Sequence, residues 1–419
     1  MKSASGTSSA ILLLAAALSG GSFALPASAQ TDISGYIQAE WQHFDLSEDP
    51  NDRGIYSDER RNFFQIRRGR VKFTHSSEEG IQGVLQLDAT ERGVAVKDAY
   101  LSVPLVDSNL LDVTVGLFNK PNYEVERSSR KRESPERSQV VRAFYPGERD
   151  LGFMFTSSPF RGDFAPTLQL ALLNGTGSKP ENDAFKDITL RVHLPIPTGE
   201  DSDVDAAIGA LYYIGGLRLE DDTVVTWSDG ERVPEHRDIS GSWPGYGNRS
   251  HVGVEFQLGA ELLPMGRTEL RGEYLFGTMP SEATRDVLQI VPHSDPTDSL
   301  QLFDTSFVPV PTVAIRRQSG YYITLVQGLG DNLSVAAKYD LFDRNTGLSG
   351  ESASDSDDRA STIIGFGLLA DFGPVRLTGW YEIPSFADGE SRYTDSEGVV
   401  HSEDLKDNRT TIRFQYTMK

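Results

Sequence analysis

Basic side chains crowd two short stretches of an otherwise acidic chain. Residues 120–149 read KPNYEVERSSRKRESPERSQVVRAFYPGER. They set Lys120, Arg127, Arg130, Lys131, Arg132, Arg137, Arg142 and Arg149 against Glu124, Glu126, Glu133, Glu136 and Glu148, a net of +3 in a chain of −21. Between 63 and 75 come Arg67, Arg68, Arg70 and Lys72, and a strand there puts Arg68, Arg70 and Lys72 on one face, opposite Gly69, Val71 and Phe73. Guanidinium and ammonium groups gathered in this way attract and bind anions; they do not by themselves make or break bonds. Mixed with glutamates, several of them are also suited to bracing a folded-in loop, so only part of the cluster is expected to face a permeating ion. Bond chemistry has no comparable signal. G-x-S-x-G, H-E-x-x-H and P-loop patterns are absent and the seven histidines are scattered, so no enzyme, cofactor or metal centre is expected. Asp355-Ser356-Asp357-Asp358 lacks a calcium-loop frame and reads as a solvated acidic stretch.

The elements that must position these residues are strands. Period-two alternation recurs along the chain: Ile188, Leu190, Val192 and Leu194 oppose Thr189, Arg191 and His193, and Val252, Val254, Phe256 and Leu258 oppose Gly253, Glu255 and Gln257. Ile412, Phe414, Tyr416 and Met418 likewise oppose Thr411, Arg413 and Gln415. One set of side chains can meet lipid while the other meets water. About sixteen such segments are expected, near 33–44, 63–75, 80–90, 94–104, 110–119, 150–157, 165–174, 186–195, 204–215, 250–259, 267–277, 318–328, 331–342, 361–372, 374–383 and 408–418. Lengths of roughly 9–12 residues suit tilted strands crossing a bilayer, and an even number near sixteen suits a pore-forming barrel. The expected fold is therefore all-β, a transmembrane antiparallel barrel. Short turns at Gly-Asp-Asn (330–332) and Asp371-Phe372-Gly373-Pro374 would lie on the periplasmic side. The polar stretches 45–62, 217–249, 278–317, 343–360 and 384–407 are expected as outer loops.

The ends and the composition agree with export. Lys2, the apolar run Ala10–Leu18 and Leu25-Pro26-Ala27-Ser28-Ala29 form a secretory leader over 1–29, with cleavage expected after Ala29 and the barrel domain over 30–419. The apolar run is too short for a membrane-spanning helix. There is no cysteine, so an exported chain needs a source of stability other than disulfides, which a large hydrogen-bonded sheet could supply. A charge of −21, or −22 once Lys2 is removed, excludes a general nucleic-acid binder.

Phe64-Gln65-Ile66-Arg67-Arg68-Gly69-Arg70-Val71, Val96-Lys97-Asp98-Ala99-Tyr100-Leu101 and Val115-Gly116-Leu117-Phe118-Asn119-Lys120-Pro121 fall in order, followed by Pro135-Glu136-Arg137-Ser138 and Pro146-Gly147-Glu148-Arg149-Asp150-Leu151-Gly152. Over roughly 33–160 the chain thus resembles the phosphate-selective porin O and P family. The resemblance implies a sixteen-stranded trimeric barrel of the outer membrane whose loop after strand five folds inward as a constriction. Arg67, Arg68 and Arg70 would correspond to the family's arginine-rich second strand, and Lys120, Arg137, Arg142 and Arg149 to its constriction loop. Asp98 and Tyr100 match an Asp-Ala-Tyr read as structural. The chain departs from the family in its glutamates within 120–149. It also ends on Thr417-Met418-Lys419 instead of an aromatic residue, although the alternation used by the barrel-insertion machinery runs intact to Met418. The function expected is passive diffusion of small solutes, anions such as phosphate or polyphosphate, through a water-filled lumen. A general or cation-preferring porin and a secreted β-rich adhesin or binding protein are the alternatives.

Overall fold

The computed structural model describes residues 30–45, 62–106, 110–160, 164–198, 202–219, 222–228, 231–236, 246–292, 303–348, 359–387, 390–394, 400–404 and 408–418. The expected leader, with its cleavage after Ala29, lies outside them, as does Asp355-Ser356-Asp357-Asp358.

The strands are β1 (Gln30–Phe44), β2 (Asn62–Ser76), β3 (Gln82–Thr90), β4 (Gly93–Val106), β5 (Leu111–Asn119), β6 (Arg149–Ser157) and β7 (Thr167–Leu173). Then come β8 (Asp187–Ile196), β9 (Asp205–Arg218), β10 (Thr223–Ser228), β11 (Glu231–His236), β12 (Tyr246–Leu263), β13 (Gly266–Pro292) and β14 (Phe303–Gly328). The last are β15 (Leu333–Asp343), β16 (Ser361–Phe372), β17 (Val375–Phe386), β18 (Glu390–Thr394), β19 (Val400–Asp404) and β20 (Arg409–Met418). Leaving aside the hairpins β10–β11 and β18–β19, these form a closed antiparallel barrel of 16 strands. Closure is made by β1, which pairs with β2 on one side and β20 on the other, Gly35 opposite Met418 and Phe44 opposite Arg409. A closed ring leaves no edge strand with unpaired backbone groups, as a spanning sheet in lipid requires.

Alternation then sorts the side chains in the reverse of a soluble protein. On β20, Phe414 is 58% exposed on the outside, while Arg413 is 4% exposed on the inside. On β1, Gln38, Glu40 and Gln42 are buried inward and Ile33 and Ile37 exposed outward; on β12, Glu255 is inward and Val252, Val254 and Leu258 outward. An apolar outer band around a polar interior is what a bilayer selects. Val254→Arg, in mid-strand on that band, is expected to cost ~2–4 kcal/mol of folding free energy in lipid vesicles. An unchanged urea midpoint would mean that this face does not meet hydrocarbon.

Both expected short turns are present. Phe372 pairs with Val375 across Gly373, whose φ of 63° fits glycine, and Leu329 N–H donates to Leu333 at 2.7 Å to close the turn before β15. The other rim differs from expectation. Residues 278–317 are not simply a loop: β13 and β14 stay paired well above their neighbours, from Thr278 opposite Arg317 up to Pro292 opposite Phe303. The stretch 217–249 contains the β10–β11 hairpin, which joins β14 through Val224–Val313 and Val225–Ala314, and 384–407 contains the β18–β19 hairpin. The Asp-, Glu-, Ser-, Gly- and Pro-rich composition of these stretches masked the strands within them.

Candidate functional site: the basic lumen

The arginines of β2 face the lumen through an irregularity. Gln38 pairs with Arg68 but Ala39 with Ile66, leaving Arg67 as an extra residue in a β-bulge. The bulge lets Arg67 and Arg68 both turn inward, where strict alternation would send Arg67 to the lipid. Arg67 makes a bidentate pair with Glu136 at 2.9 and 2.8 Å. Arg68 and Arg70 share Asp88, at 3.2 and 3.1 Å, and Arg70 stands 5.8 Å from the centre of the Tyr36 ring. A second bulge does the same for β4. Gln86 pairs with Asp98 and Leu87 with Val96, so Lys97 is extra and turns toward the cavity lined by Arg67 and Arg68. Sequence reasoning missed Lys97. The signal was two consecutive charged residues, Lys97-Asp98 like Arg67-Arg68, interrupting an alternating strand.

The segment 120–149 leaves β5 and rejoins at β6. It contains two short helices, α1 (Tyr123–Glu126) and α2 (Gln139–Phe144). Asn122 caps α1 by accepting from Val125 N–H at 3.0 Å. Wall carboxylates take up other N–H groups: Glu273 of β13 accepts from Glu124 N–H at 2.8 Å and from Asn122 at 2.5 Å, and Asp340 of β15 accepts from Gln139 N–H at 2.9 Å. Val125, Val140, Val141, Phe144 and Tyr145 are almost fully buried against Leu173, Leu211, Tyr213, Leu275, Tyr322 and Phe342. On the opposite side Ser129 meets Tyr36 at 2.6 Å, Arg413 donates to Pro135 O at 3.2 Å, and Gln415 donates to Arg130 O at 3.3 Å. Contacts to inward side chains of β1, β13, β15 and β20 at once are open only to a segment inside the ring.

The structure divides the candidate cations into two groups. Lys120 is 2% exposed and lies 3.7 Å from Asp150. Arg127 pairs with Glu133 at 2.9 Å, and Arg149 with Asp98 at 2.7 Å and Glu148 at 3.0 Å. Arg137 pairs with Glu148 and donates to the carbonyls of Glu124 and Val125 at 3.1 and 2.9 Å. In contrast, Lys72, Arg130, Lys131, Arg132 and Arg142 have no ion pair among the described residues. Arg142 and Lys131 are exposed, Lys72 and Arg130 half-buried. Arg132 is buried, and its Nε and Nη1 have no hydrogen-bond partner there.

Two cavities flank this array. One of about 530 Å³ is lined by Arg67, Arg68, Lys97 and Arg142; the other, of about 240 Å³, by Arg70, Lys72, Arg130, Arg137 and Arg149. Burial, with Arg137 next, lowers the pKa of Arg132 to about 9, so its charge is held at a disadvantage that an anion would relieve. Burial alone would raise Glu148 and Glu136. Arg137 followed by Arg132 and Arg149 instead bring Glu148 down to about 2, and Arg67 followed by Arg409 holds Glu136 well below the usual carboxylate range. Among the described residues no group of His, Asp and Glu could hold a metal ion.

Ring, strand number and apolar girth define a transmembrane β-barrel of the porin fold. The chain is similar to the outer membrane channel DcaP of Acinetobacter baumannii, at 12% identity and a TM-score of 0.54 over 94% of this chain and 99% of that one. It is similar also to an anion-selective porin from Comamonas acidovorans (10%, 0.53, 93% and 100%) and to OmpT, an outer membrane protein of Vibrio cholerae (11%, 0.52, 93% and 99%). At these identities the likeness is one of fold. No protein-family model matches the sequence, and no curated protein does.

Proposed function

We propose that the chain is an outer-membrane porin that passes small anions, phosphate among them, by diffusion through a constriction made by β2 and the 120–149 segment. The observation that carries this reading is Arg132, a buried guanidinium with two unpartnered nitrogens, acted on by Arg68 and Arg137. A guanidinium so placed offers an anion the forked donors that replace part of its water. Arg68, Lys97 and Arg142 in one cavity, Arg70, Lys72 and Arg130 in the other, and the exposed Lys131 would be weaker sites, and several moderate sites in series let an ion leave as well as enter. Arg67, Lys120, Arg127, Arg137 and Arg149 brace the segment, each against its own carboxylate.

The leader over 1–29 would direct export. A homotrimer is part of this reading: β2 to β8 contain one tyrosine, the inward-facing Tyr100, whereas Tyr212, Tyr274, Tyr339, Tyr381 and Tyr416 stand exposed on the outside of other strands. Tyrosines mark the lipid–water boundary, so the arc without them suits contact with another copy.

A second reading, a general or cation-preferring porin, is favoured by the pairing of so many arginines with carboxylates. Single-channel recording in potassium chloride, with reversal potentials and a phosphate titration, separates the two. Anion-selective openings blocked by phosphate support the anion channel. Cation-selective openings without block leave a porin whose basic segment is only a brace, and no openings at all refute both readings.

A further inference from the structure

Where the 120–149 segment leaves and rejoins the wall, four charged side chains and a tyrosine are shut away from solvent. Lys120 is 2% exposed, Asp150 0%, Asp187 2%, Arg249 8% and Tyr213 1%. Lys120 Nζ lies 3.7 Å from Asp150, and Arg249 Nη1 lies 3.2 Å from Asp187. Tyr213 donates its hydroxyl proton to Asp187, whose other oxygen accepts from Gly216 N–H at 3.1 Å. The peptide of Gly175 joins the two pairs: its N–H donates to Asp150 at 3.3 Å, and its carbonyl accepts from Arg249 at 2.9 Å. Two glycines make the room, since a Cβ at Gly215 would fall 1.9 Å from the Asp187 carboxylate and one at Gly175 2.7 Å from it.

Breaking a matched set of buried charges leaves the remaining partner uncompensated, so such a set holds its members in place. Here two cations meet two anions, so the cluster is neutral. Lys120 and Asp150 sit at the two ends of the segment, whereas Asp187 belongs to β8 and Arg249 to β12. None of the four lines the cavity beside Arg67 and Arg68 or the one beside Arg130 and Arg149.

We propose that Asp187 and Arg249 are positioning residues for the 120–149 segment: through Gly175 and the Lys120–Asp150 pair they pin both its ends to the wall, and so keep the cavity lined by Arg130, Arg137 and Arg149 at a constant width. This inference rests on the channel reading, in which that width sets the current. The middle of the segment has its own docking at Glu273, Asp340 and the apolar core, so losing the pins loosens the segment without expelling it.

The test is planar-bilayer recording on the full-length protein and two variants. Asp187→Asn with Arg249→Gln removes the wall pair and leaves the cluster neutral; Asp187→Asn alone leaves a buried cation uncompensated and is the harsher change. The double variant is expected to keep the heat-modifiable gel mobility of a folded barrel, while its open-state noise rises several-fold with brief sublevels. A pair that served only stability would lower the unfolding temperature and leave noise and reversal potential of the folded channel unmoved. A double variant as quiet as the parent therefore overturns the proposal, and it decides the matter even if Asp187→Asn alone fails to assemble. A parent protein that forms no channels overturns the channel reading itself, and this inference with it.

Discussion

Arg132→Gln is expected to lower the anion-over-cation permeability ratio about tenfold, the equivalent of ~1.4 kcal/mol. The reason is how charge is distributed around it. Arg67 is matched by Glu136, Arg68 and Arg70 by Asp88, Arg137 by Glu148 and Arg149 by Asp98. Each of these presents little net charge to a passing ion, except the Arg68–Arg70–Asp88 group, where one carboxylate faces two guanidiniums. Glu124 and Glu136 also act on Arg132, but Glu124 is engaged by Ser138 at 2.7 Å and Glu136 by Arg67. The change lifts the desolvation penalty of Arg132 but also takes a cation away from Glu148, Glu124 and Glu136, so a modest loss of stability is expected with the barrel retained. Reversal potentials in a potassium chloride gradient check this, and an unchanged ratio would show that Arg132 does not face the ion. Arg67→Gln makes the contrast: it strands Glu136 and should shift preference toward cations while loosening the segment.

Phe144→Ala is expected to raise single-channel conductance several-fold and to lessen selectivity in the same channels. Phe144 is 1% exposed and lies among Val140, Val141, Tyr145, Tyr213 and Leu275, with its ring 4.8 Å from that of His251. Emptying such a site costs ~3–5 kcal/mol, enough to weaken the segment's hold on the wall. The barrel itself should survive, because its hydrogen bonds run between strands and Phe144 belongs to none of them. Heat-modifiable mobility would therefore be retained while the lumen widens. A variant with the parent's conductance would mean that the segment does not obstruct the passage.

Both results depend on where one connecting segment settles, and there the sequence and the folded chain part company. The wall was legible in the residues because alternation is a local property of an extended backbone. Ile188–Leu194 and Ile412–Met418 declare an apolar and a polar face without reference to any partner. The strands of the ring, the tight turn at Gly373 and the basic character of 120–149 could all be read in that way.

Three features were decided only by tertiary structure. Arg67 and Lys97 face inward because bulges arise in pairing with β1 and β3, and register belongs to two strands together. Lys120, read as a candidate for the passage, is buried because closing the ring brings Asp150, Asp187 and Arg249 around it. Which guanidiniums are neutralised depends on distant partners as well: Glu136 reaches Arg67 across 69 residues, and the segment docks on Glu273 and Asp340 across 149 and 201. Counting charges in the sequence shows how many cations the segment carries. Only the closed ring determines that Arg132 is the buried one left without a hydrogen-bonded partner, because each carboxylate pairs with whichever cation the register brings within reach.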